Sequence, residues 1–209
     1  SAQLNKPAMV ALGPDGTLYV TDFSNHCVRK IDPAGIITTF AGVCTQLGNG
    51  PDEGPATSGK LNEPYGIALG VDGTVYLTDQ ENFKVRRIGT DGLMTTIAGT
   101  GQVCDPAGFA SCGFGGPALA AKLGRDMSGI AIDRSGNVYV SVGEFQSTQS
   151  VHKITPSGII ATVAGTAVRG FSPDGTLATA AQLSGPWGLA AEPDGTLYLA
   201  EFGNERVRR

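Results

Sequence analysis

Residues Leu61 to Gly99 read LNEPYGIALGVDGTVYLTDQENFKVRRIGTDGLMTTIAG. This stretch contains four short apolar runs, each followed by turn residues: Tyr65–Leu69, Thr74–Thr78, Phe83–Ile88 and Leu93–Ala98. Each run has the length of a strand and is rich in β-branched or aromatic residues. Asp72-Gly73 separates the first two runs and is typical of a hairpin, because glycine accepts the positive φ of a tight turn. The stretch therefore predicts a four-stranded antiparallel meander, which needs neighbours to bury both of its faces.

The same unit recurs along the chain. The tyrosine of the second run returns at spacings of 57, 63 and 59 residues, as Tyr19, Tyr76, Tyr139 and Tyr198. The third run returns as CVRKI (27–31), KVRRI (84–88), VHKI (151–154) and RVRR (206–209). A four-strand unit repeated at this period predicts radially packed blades. We therefore expect an all-β fold, a β-propeller of four-stranded antiparallel blades forming one domain.

The repeats set the expected boundaries. Blades are predicted at residues 4–42, 61–99, 123–165 and 183–209, with connectors at 43–60, 100–122 and 166–182. In each connector, glycines precede a short segment that ends in leucine, which predicts a loop leading into one or two helical turns. The leucine is expected to close the blade edge. The fourth repeat stops after its third strand, so we expect either a fragment of a longer propeller or an edge that another chain completes.

The composition of the chain limits the classes of partner that it is expected to bind. The chain has 209 residues and a net charge of −4, which argues against a general nucleic-acid binder because such proteins usually carry a basic excess. No apolar run approaches the ~20 residues that a membrane-spanning helix needs. A protein partner or self-association is the expected interaction.

The four cysteines indicate the compartment. Cys104 and Cys112 enclose the loop CDPAGFASC, and a disulfide between them would stabilise a segment with little core of its own. Cys27 and Cys44 could meet across the third and fourth strands of blade 1, although counting back from the turn places Cys27 opposite Phe40. Buried or free thiols in a cytosolic protein are the alternative. No Cys-x-x-Cys pair supports a zinc site. An extracellular or periplasmic, secreted protein is expected.

The segments PYGIALGVDGTVYLTDQENFKVRRI (64–88) and PWGLAAEPDGTLYLAEFGNERVRR (186–209) resemble NHL repeats. The connector GPATSGKL (54–61) resembles the long NHL variety common in secreted bacterial proteins. The resemblance covers the whole chain and implies a β-propeller, most often with six blades. It implies an interaction platform for protein or RNA, while a minority of similar propellers are lyases. The resemblance is specific for the architecture and says little about function, because one fold can carry many functions.

Three residues near the start of the first strands are candidate ligand-binding groups. In propellers that resemble this chain, the residue after the opening proline lies near the mouth of the central channel. That residue is Tyr65 in the second repeat and Trp187 in the fourth, with Met127 in the shifted third copy. Aromatic groups there would form an amphipathic contact platform. Ordinary packing against the next blade is the alternative.

The corners after the second strands carry recurring carboxylates: Asp22 with Asn25, Asp79 with Asn82, and Glu201 with Asn204. Short acceptors at a strand end usually bind N–H groups of their own loop, so a structural role is favoured. A ring of channel carboxylates binding Ca²⁺ is the sharper alternative. The third copy, Val142-Gly143-Glu144, would interrupt such a ring.

Basic pairs follow on the third strands, as Arg29-Lys30, Arg86-Arg87, His152-Lys153 and Arg208-Arg209. Neighbours in a strand point to opposite faces. One member of each pair is therefore expected to face solvent or to form ion pairs across blades, and a continuous RNA-binding patch is not expected.

The catalytic residue types and motifs present in the sequence argue against an enzyme. The chain has two histidines, His26 and His152, at non-equivalent repeat positions, and no G-x-S-x-G elbow. We expect a non-catalytic interaction or scaffold module that binds its ligand through the channel face. A metal-dependent propeller lyase with catalytic residues partly outside this chain is one alternative. A structural protein that self-assembles through the unpaired edge of blade four is the other.

Overall fold

A computed structural model describes residues 2–50, 53–143 and 148–209. The described residues form short strands connected by turns, loops and short 3₁₀ helices. The strands are β1 (Pro7–Leu12), β2 (Leu18–Asp22), β3 (Cys27–Ile31), β4 (Ile37–Ala41), β5 (Glu53–Pro55), β6 (Pro64–Leu69), β7 (Val75–Asp79), β8 (Lys84–Ile88), β9 (Leu93–Ala98), β10 (Met127–Ile132), β11 (Val138–Val142), β12 (Ser150–Ile154), β13 (Ile160–Ala164), β14 (Pro186–Ala191), β15 (Leu197–Glu201) and β16 (Arg206–Arg208).

The strands form four sheets, one for each repeat. Blade 1 has the order β1-β2-β3-β4, blade 2 the order β5-β9-β8-β7-β6, blade 3 the order β10-β11-β12-β13 and blade 4 the order β14-β15-β16. The all-β class of antiparallel propeller blades is therefore confirmed, with three strands in the last blade. Blades 1 and 2 form one compact unit and blades 3 and 4 a second, with the boundary between Ile97 and Ala98.

A short 3₁₀ turn separates the second and third strands in three of the blades. It covers Phe23–Asn25, Gln80–Asn82 and Phe202–Asn204, and the residue that follows each turn is left-handed, with φ of 55° at His26, 51° at Phe83 and 52° at Glu205. A left-handed residue cannot continue a strand. For this reason β8 begins at Lys84 and not at Phe83, where the apolar pattern predicts its start.

The first strand of every blade contains a β-bulge. In blade 2, Pro64 pairs with Asp79 and Ile67 with Leu77, so Tyr65 and Gly66 lie opposite a single residue. The pairs Pro7–Asp22 and Pro186–Glu201 begin the same arrangement in blades 1 and 4. A bulge bends the strand and re-aims its side chains. In blades 1, 2 and 4 it falls directly after the proline.

Blade 3 corrects one sequence-based equivalence. Met127 pairs with Val142, as Pro64 pairs with Asp79, so Met127 occupies the proline position and is buried. Its predicted equivalence to Tyr65 and Trp187 is wrong. The extra residue of this repeat lies before Met127, and the equivalent residue is Ser128, which is also buried.

A hydroxyl group on the second strand joins blade 1 to blade 2 and blade 3 to blade 4. In blade 1, Thr21 Oγ1 accepts from Met9 N at 2.9 Å and donates to Tyr65 O of blade 2 at 2.8 Å. In blade 3, Ser141 Oγ donates to Trp187 O of blade 4 at 2.6 Å. Blade 4 has Ala200 at the same position. In both pairs of blades, the hydroxyl therefore donates a hydrogen bond to a backbone carbonyl in the bulge of the next blade.

An apolar cluster lies between consecutive blades in each unit. Leu61, Ile67, Val75 and Leu77 of blade 2 pack with residues of blade 1 that include Val28. At the equivalent positions of the second unit, blade 4 supplies Leu183, Leu189, Leu197 and Leu199, which pack with Val151 of blade 3. The connector leucines Leu61, Leu123 and Leu183 are buried, as expected for residues that close a blade edge.

Two of the three connectors contain the predicted helical turn, at Ala118–Ala120 and Ala178–Ala180. In the first connector the equivalent residues, 56–58, form a turn in which Ser58 N donates to Pro55 O at 2.9 Å, and the preceding segment Glu53–Pro55 forms β5 and pairs with β9. The helical prediction is wrong for this segment. Gly54 precedes a proline, which favours extended backbone, and Ser58-Gly59 replaces the alanines of the other two connectors.

Both predicted disulfides are present, with Cα–Cα distances of 5.5 Å for Cys104–Cys112 and 5.1 Å for Cys27–Cys44. The register of blade 1 explains why simple counting fails for Cys27. Val28 pairs with Ala41 and Arg29 with Thr39, so Phe40 is the extra residue of a bulge. The bulge moves Cys27 past Phe40 and toward Cys44, so the predicted pairing with Phe40 is wrong.

We expect Thr21→Val to lower the free energy of unfolding by about 1–2 kcal/mol, because Tyr65 O and Met9 N lose a buried partner. Thermal or urea unfolding measures the change. Thr38→Val, an exposed threonine on β4, is the matched control and should be close to neutral. Equal stability of both variants would contradict a bonding role for the hydroxyl.

Candidate functional site

The corner of blade 2 is built around the buried carboxylate of Asp79. Its Oδ1 accepts from Asn62 N at 2.8 Å, and its Oδ2 accepts from Asn82 Nδ2 and from Arg86 Nε, both at 2.9 Å. Burial raises the pKa of the Asp79 carboxyl, while Arg86, Asn62 and Asn82 act in the opposite direction. These three donors, one of them a guanidinium, compensate the carboxylate for lost hydration.

The same corner recurs in two other blades. Asp22 accepts from Asn5 N at 2.7 Å and from Asn25 Nδ2 at 2.9 Å. Glu201 accepts from Ser184 N at 2.9 Å and from Asn204 Nδ2 at 2.6 Å. Each carboxylate therefore ties the segment before its blade to the corner after the second strand. This is the structural role favoured for Asp22, Asp79 and Glu201.

The geometry gives no support to the calcium alternative. Within residues 2–50, 53–143 and 148–209, no group of three or more His, Cys, Asp or Glu side chains could hold a metal ion. The corner carboxylates already accept hydrogen bonds from backbone, asparagine and arginine donors. Glu144, named in the third copy of the proposed ring, lies outside the described residues.

The third-strand arginines complete the corners. Arg86 is buried against Asp79, Arg29 Nη1 lies 3.8 Å from Asp22 Oδ2, and Arg208 pairs with Glu201. These three ion pairs lie within a blade; the second residues Lys30 and Arg87 are partly exposed, in line with the expectation that one member of each pair faces solvent or pairs across blades. The first residue of each of these pairs lies on the face of its strand opposite the neighbouring valine, which is Val28, Val85 or Val207.

Blade 3 replaces both partners of the ion pair. Val142 stands at the carboxylate position and His152 at the arginine position. His152 is buried, with Ser150 Oγ 2.9 Å from Nε2 and Thr162 Oγ1 3.3 Å from Nδ1. Phe114 stacks on its ring at a centroid distance of 4.0 Å. Desolvation lowers the pKa of His152 to about 3, so the imidazole is neutral near pH 7.

The other histidine also has a local role. His26 Nδ1 accepts from Glu63 N of blade 2 at 3.2 Å, and His26 is the left-handed residue that ends the first 3₁₀ turn. His26 and His152 therefore both serve blade geometry. Neither histidine lines the large cavity described next.

A surface cavity of about 1200 Å³ opens on blade 4. Its lining includes Trp187, Phe202 and Val207, with Arg169, Glu205 and Arg206 among the charged residues. The rings of Trp187 and Phe202 lie 6.2 Å apart. Phe202 is 76% exposed and Val207 71%. Exposed apolar patches are typical of surfaces that bind other molecules, so this cavity is the candidate site.

The equivalent aromatic position is covered in the first unit. Phe23, which corresponds to Phe202, contacts Tyr65 of blade 2 edge-to-face at 5.8 Å. Tyr65 is half-buried and Met127 is buried, so Trp187 is the one of the three predicted ligand-binding residues that lines the cavity. Sequence reasoning missed Phe202. The available signal was an aromatic residue directly after a corner carboxylate, as in Asp22-Phe23 and Glu201-Phe202.

Comparison with protein families identifies two matches. Residues 91–169 match the Teneurin NHL domain, and residues 4–31 match the NHL repeat. The chain is 31% identical over 212 residues to Teneurin-3 of Mus musculus, which covers 95% of this chain and 7% of that protein. It is 28% identical over 222 residues to Teneurin-1 of Homo sapiens, covering 99% of this chain and 8% of that protein. The chain thus spans less than a tenth of the length of these relatives.

Solved structures share the fold. A Bacteroides thetaiotaomicron protein of unknown function superimposes with a TM-score of 0.71 at 23% identity, covering 97% of this chain and 46% of its own. An auxiliary nutrient binding protein from Bacteroides ovatus gives 0.69 at 18% identity, with coverages of 99% and 48%. Virginiamycin B lyase from Staphylococcus aureus gives 0.59 at 19% identity, with coverages of 97% and 51%. These likenesses concern architecture alone.

The buried histidine predicts an acid-sensitive stability term. The pKa of His152 is lowered from 6.5 to about 3, so its stabilising contribution is complete above pH 6.5 and is lost as the pH falls toward 3. Chemical unfolding of wild type and His152→Gln at several pH values measures it. The stability advantage of wild type should shrink below pH 6.5, by at most about 1.4 kcal/mol per pH unit. Parallel curves would show that His152 does not titrate on unfolding.

The corner of blade 2 predicts an energetic coupling. Arg86→Met should cost about 3–5 kcal/mol, because it leaves the buried Asp79 carboxylate without its cation. Asp79→Val combined with Arg86→Met should be less damaging than Arg86→Met alone, because the apolar pair resembles the valine that blade 3 has at this corner. Arg87→Met is the matched control on the same strand. Additive losses in the double variant would contradict the coupling.

Proposed function

Because the chain belongs to the NHL-repeat β-propeller family, we propose that it is a non-catalytic interaction module that binds a protein partner through blade 4. The contact surface is the cavity lined by Trp187, Phe202 and Val207. The observation that carries this proposal is the 76% exposure of Phe202 beside Trp187, at a position that is covered in the first unit.

The chemistry of this surface suits a polypeptide. Trp187 and Phe202 offer large apolar area with few rotatable bonds, and aromatic residues of this kind dominate binding energy at protein interfaces. Arg206 and Glu205 lie at the cavity with opposite charges and are exposed. A rim of mixed sign around an apolar centre is the ordinary anatomy of a protein interface.

The charge balance disfavours nucleic acid as the partner. The net charge is −4, and three of the third-strand cations, Arg29, Arg86 and Arg208, face carboxylates in the corners. Nucleic-acid binding draws its affinity from cations free to meet phosphates. No helix within the described residues is long and apolar enough to cross a membrane.

An extracellular or periplasmic location is part of the proposal. Two disulfides are present, and such bonds persist in oxidising compartments. A scaffold protein in such a compartment does not have to catalyse a reaction. The bacterial source suggested by the connectors stays a prediction, and the teneurins compared above are animal proteins.

The lyase alternative gains no specific support from the described residues. His26 bonds to the neighbouring blade and His152 is buried under Phe114. A general base must reach the proton that it removes, and neither ring lies at the cavity. The likeness to virginiamycin B lyase is one of fold.

A phage-displayed random-peptide library panned on the immobilised chain tests the proposal. Peptides enriched on wild type should lose about 30-fold or more in affinity on Trp187→Ala and on Phe202→Ala, as expected for central aromatic contacts. Val71→Ala is the control, because Val71 is 90% exposed and lies on blade 2. Peptides that bind all variants equally, or a selection that enriches none, would contradict the proposed surface.

A further inference from the structure

The first connector places an asparagine side chain against two cations of blade 2. Lys84 Nζ donates to Asn49 Oδ1 at 3.2 Å, and Arg86 Nη2 donates to the same oxygen at 3.1 Å. Lys84 and Arg86 are both buried, whereas Asn49 is exposed. Two positive charges therefore converge on one amide oxygen that water can reach.

The position of Asn49 is a regular feature of the connectors. Asn49 corresponds to Phe171 of the third connector, because the glycine before each accepts a hydrogen bond from the corner asparagine of the following blade, at 2.9 and 3.0 Å. The ring centroid of Phe171 lies 4.4 Å from the guanidinium carbon of Arg206 and 5.5 Å from that of Arg208. In both blades this connector residue thus contacts the third-strand cations, through a ring face in one and an amide oxygen in the other.

Packing requires glycine at the next position. A Cβ atom at residue 50 would lie 2.4 Å from Lys60 N, which leaves no room for any side chain. Asn49 is the only asparagine in the sequence that is followed by glycine. Asparagine before glycine is the pair most prone to deamidation, because glycine places no side chain between its own backbone nitrogen and the amide carbon.

We propose that Asn49 is a deamidation site and that Lys84 and Arg86 direct the reaction to aspartate. Gly50 N loses its proton to hydroxide and attacks Asn49 Cγ. The Cγ–Nδ2 bond then breaks, and the departing nitrogen takes a proton from water and leaves as ammonia. The product is a cyclic imide, which water opens to a carboxylate. The net reaction consumes one water molecule and releases one ammonia molecule.

The two cations act on the same oxygen in both steps. When Gly50 N attacks, they stabilise the negative charge that develops on Oδ1 of Asn49. In the cyclic imide they polarise the carbonyl group at Cγ, so water attacks Cγ and the bond from Cγ to Gly50 N breaks. This opening restores the ordinary backbone and gives aspartate. Attack on the main-chain carbonyl would give isoaspartate, in which the backbone runs through the side chain.

The product strengthens an existing contact. A carboxylate at residue 49 replaces a neutral acceptor opposite Lys84 and Arg86, and charge-assisted hydrogen bonds are stronger than neutral ones. Arg86 Nε already donates to Asp79 at 2.9 Å, so its guanidinium would lie between two carboxylates. The modification therefore ties the first connector to the corner of blade 2.

A backbone hydrogen bond makes the reaction slow. Gly50 N donates to Lys60 O at 3.0 Å, and the nitrogen must leave this partner before it can attack. The connector therefore has to open locally before each reaction. The folded chain should react more slowly than a free peptide of the same sequence. The site lies outside the proposed partner surface of blade 4, and the proposal does not depend on that surface.

Peptide mapping of the intact, disulfide-bonded chain after ageing at mildly alkaline pH tests the proposal. The mass gain of one deamidation should accumulate at Asn49 before any other asparagine, and fragmentation that separates the two products should show mainly aspartate. The reference is the synthetic peptide of residues 46–53, QLGNGPDE, which should react faster and yield mainly isoaspartate. No reaction at Asn49, or isoaspartate as the main product of the folded chain, would overturn the proposal.

Two variants test the role of the cations. Lys84→Met removes one of the two donors to Oδ1 and should lower the ratio of aspartate to isoaspartate about threefold or more. Arg87→Met, on the opposite face of the same strand, is the matched control and should leave the ratio unchanged. An equal ratio in wild type and Lys84→Met would show that the cations do not direct the reaction.

Asn49→Asp reproduces the product without the reaction. Its thermal unfolding midpoint should exceed that of wild type by up to about 4 °C, as expected for one added ion pair in a chain of this length. Asn49→Ser, which adds no charge, should show no such gain. A midpoint of Asn49→Asp at or below that of wild type would show that the carboxylate does not bind Lys84 and Arg86, and would contradict the proposal.

Discussion

A buried carboxylate at the corner of a blade is the constraint on which the rest of the structure depends. Asp79 accepts from Asn62 N, Asn82 Nδ2 and Arg86 Nε, and these donors come from the preceding loop, the 3₁₀ turn and the third strand. One side chain therefore fixes three segments that differ in direction. Removing such an ion from water is costly, so the arrangement persists only where every donor is supplied together.

Blade 3 shows the same constraint met in another way. Val142 removes the carboxylate, and the cation disappears with it, since His152 is neutral and bonds to Ser150 and Thr162. The hydrogen bond to the next blade also changes its acceptor. Gly185 N donates to Gln149 Oε1 at 2.7 Å in the second unit, where Glu63 N donates to His26 in the first. The corner is therefore a set of satisfied polar groups and not one fixed sequence.

The repeats make the architecture readable from sequence, because Asp-Gly turns and alternating apolar residues report local geometry that each blade repeats. Bulges are where this reading fails. A bulge adds one residue without any distinctive side chain, which is why Cys27 was assigned the wrong partner. Met127 was misaligned for a different reason, because the loop before it is one residue longer than in the other repeats. The cavity beside Phe202 could not be predicted either. Phe23 and Phe202 occupy the same position of their repeats, but Phe23 contacts Tyr65 of the next blade and Phe202 is exposed. The repeat pattern does not show this difference in exposure.

In this account the corner carboxylates are occupied by the fold, and the proposed partner meets the aromatic surface of blade 4. NMR-detected hydrogen exchange of the Asn62 and Ser184 amides tests this most directly, because these donors bond to Asp79 and Glu201. The account predicts protection similar to that of the strand amides, since exchange then requires the blade to open. Exchange as fast as in exposed turns would show that the carboxylates are free for a ligand, and would contradict it.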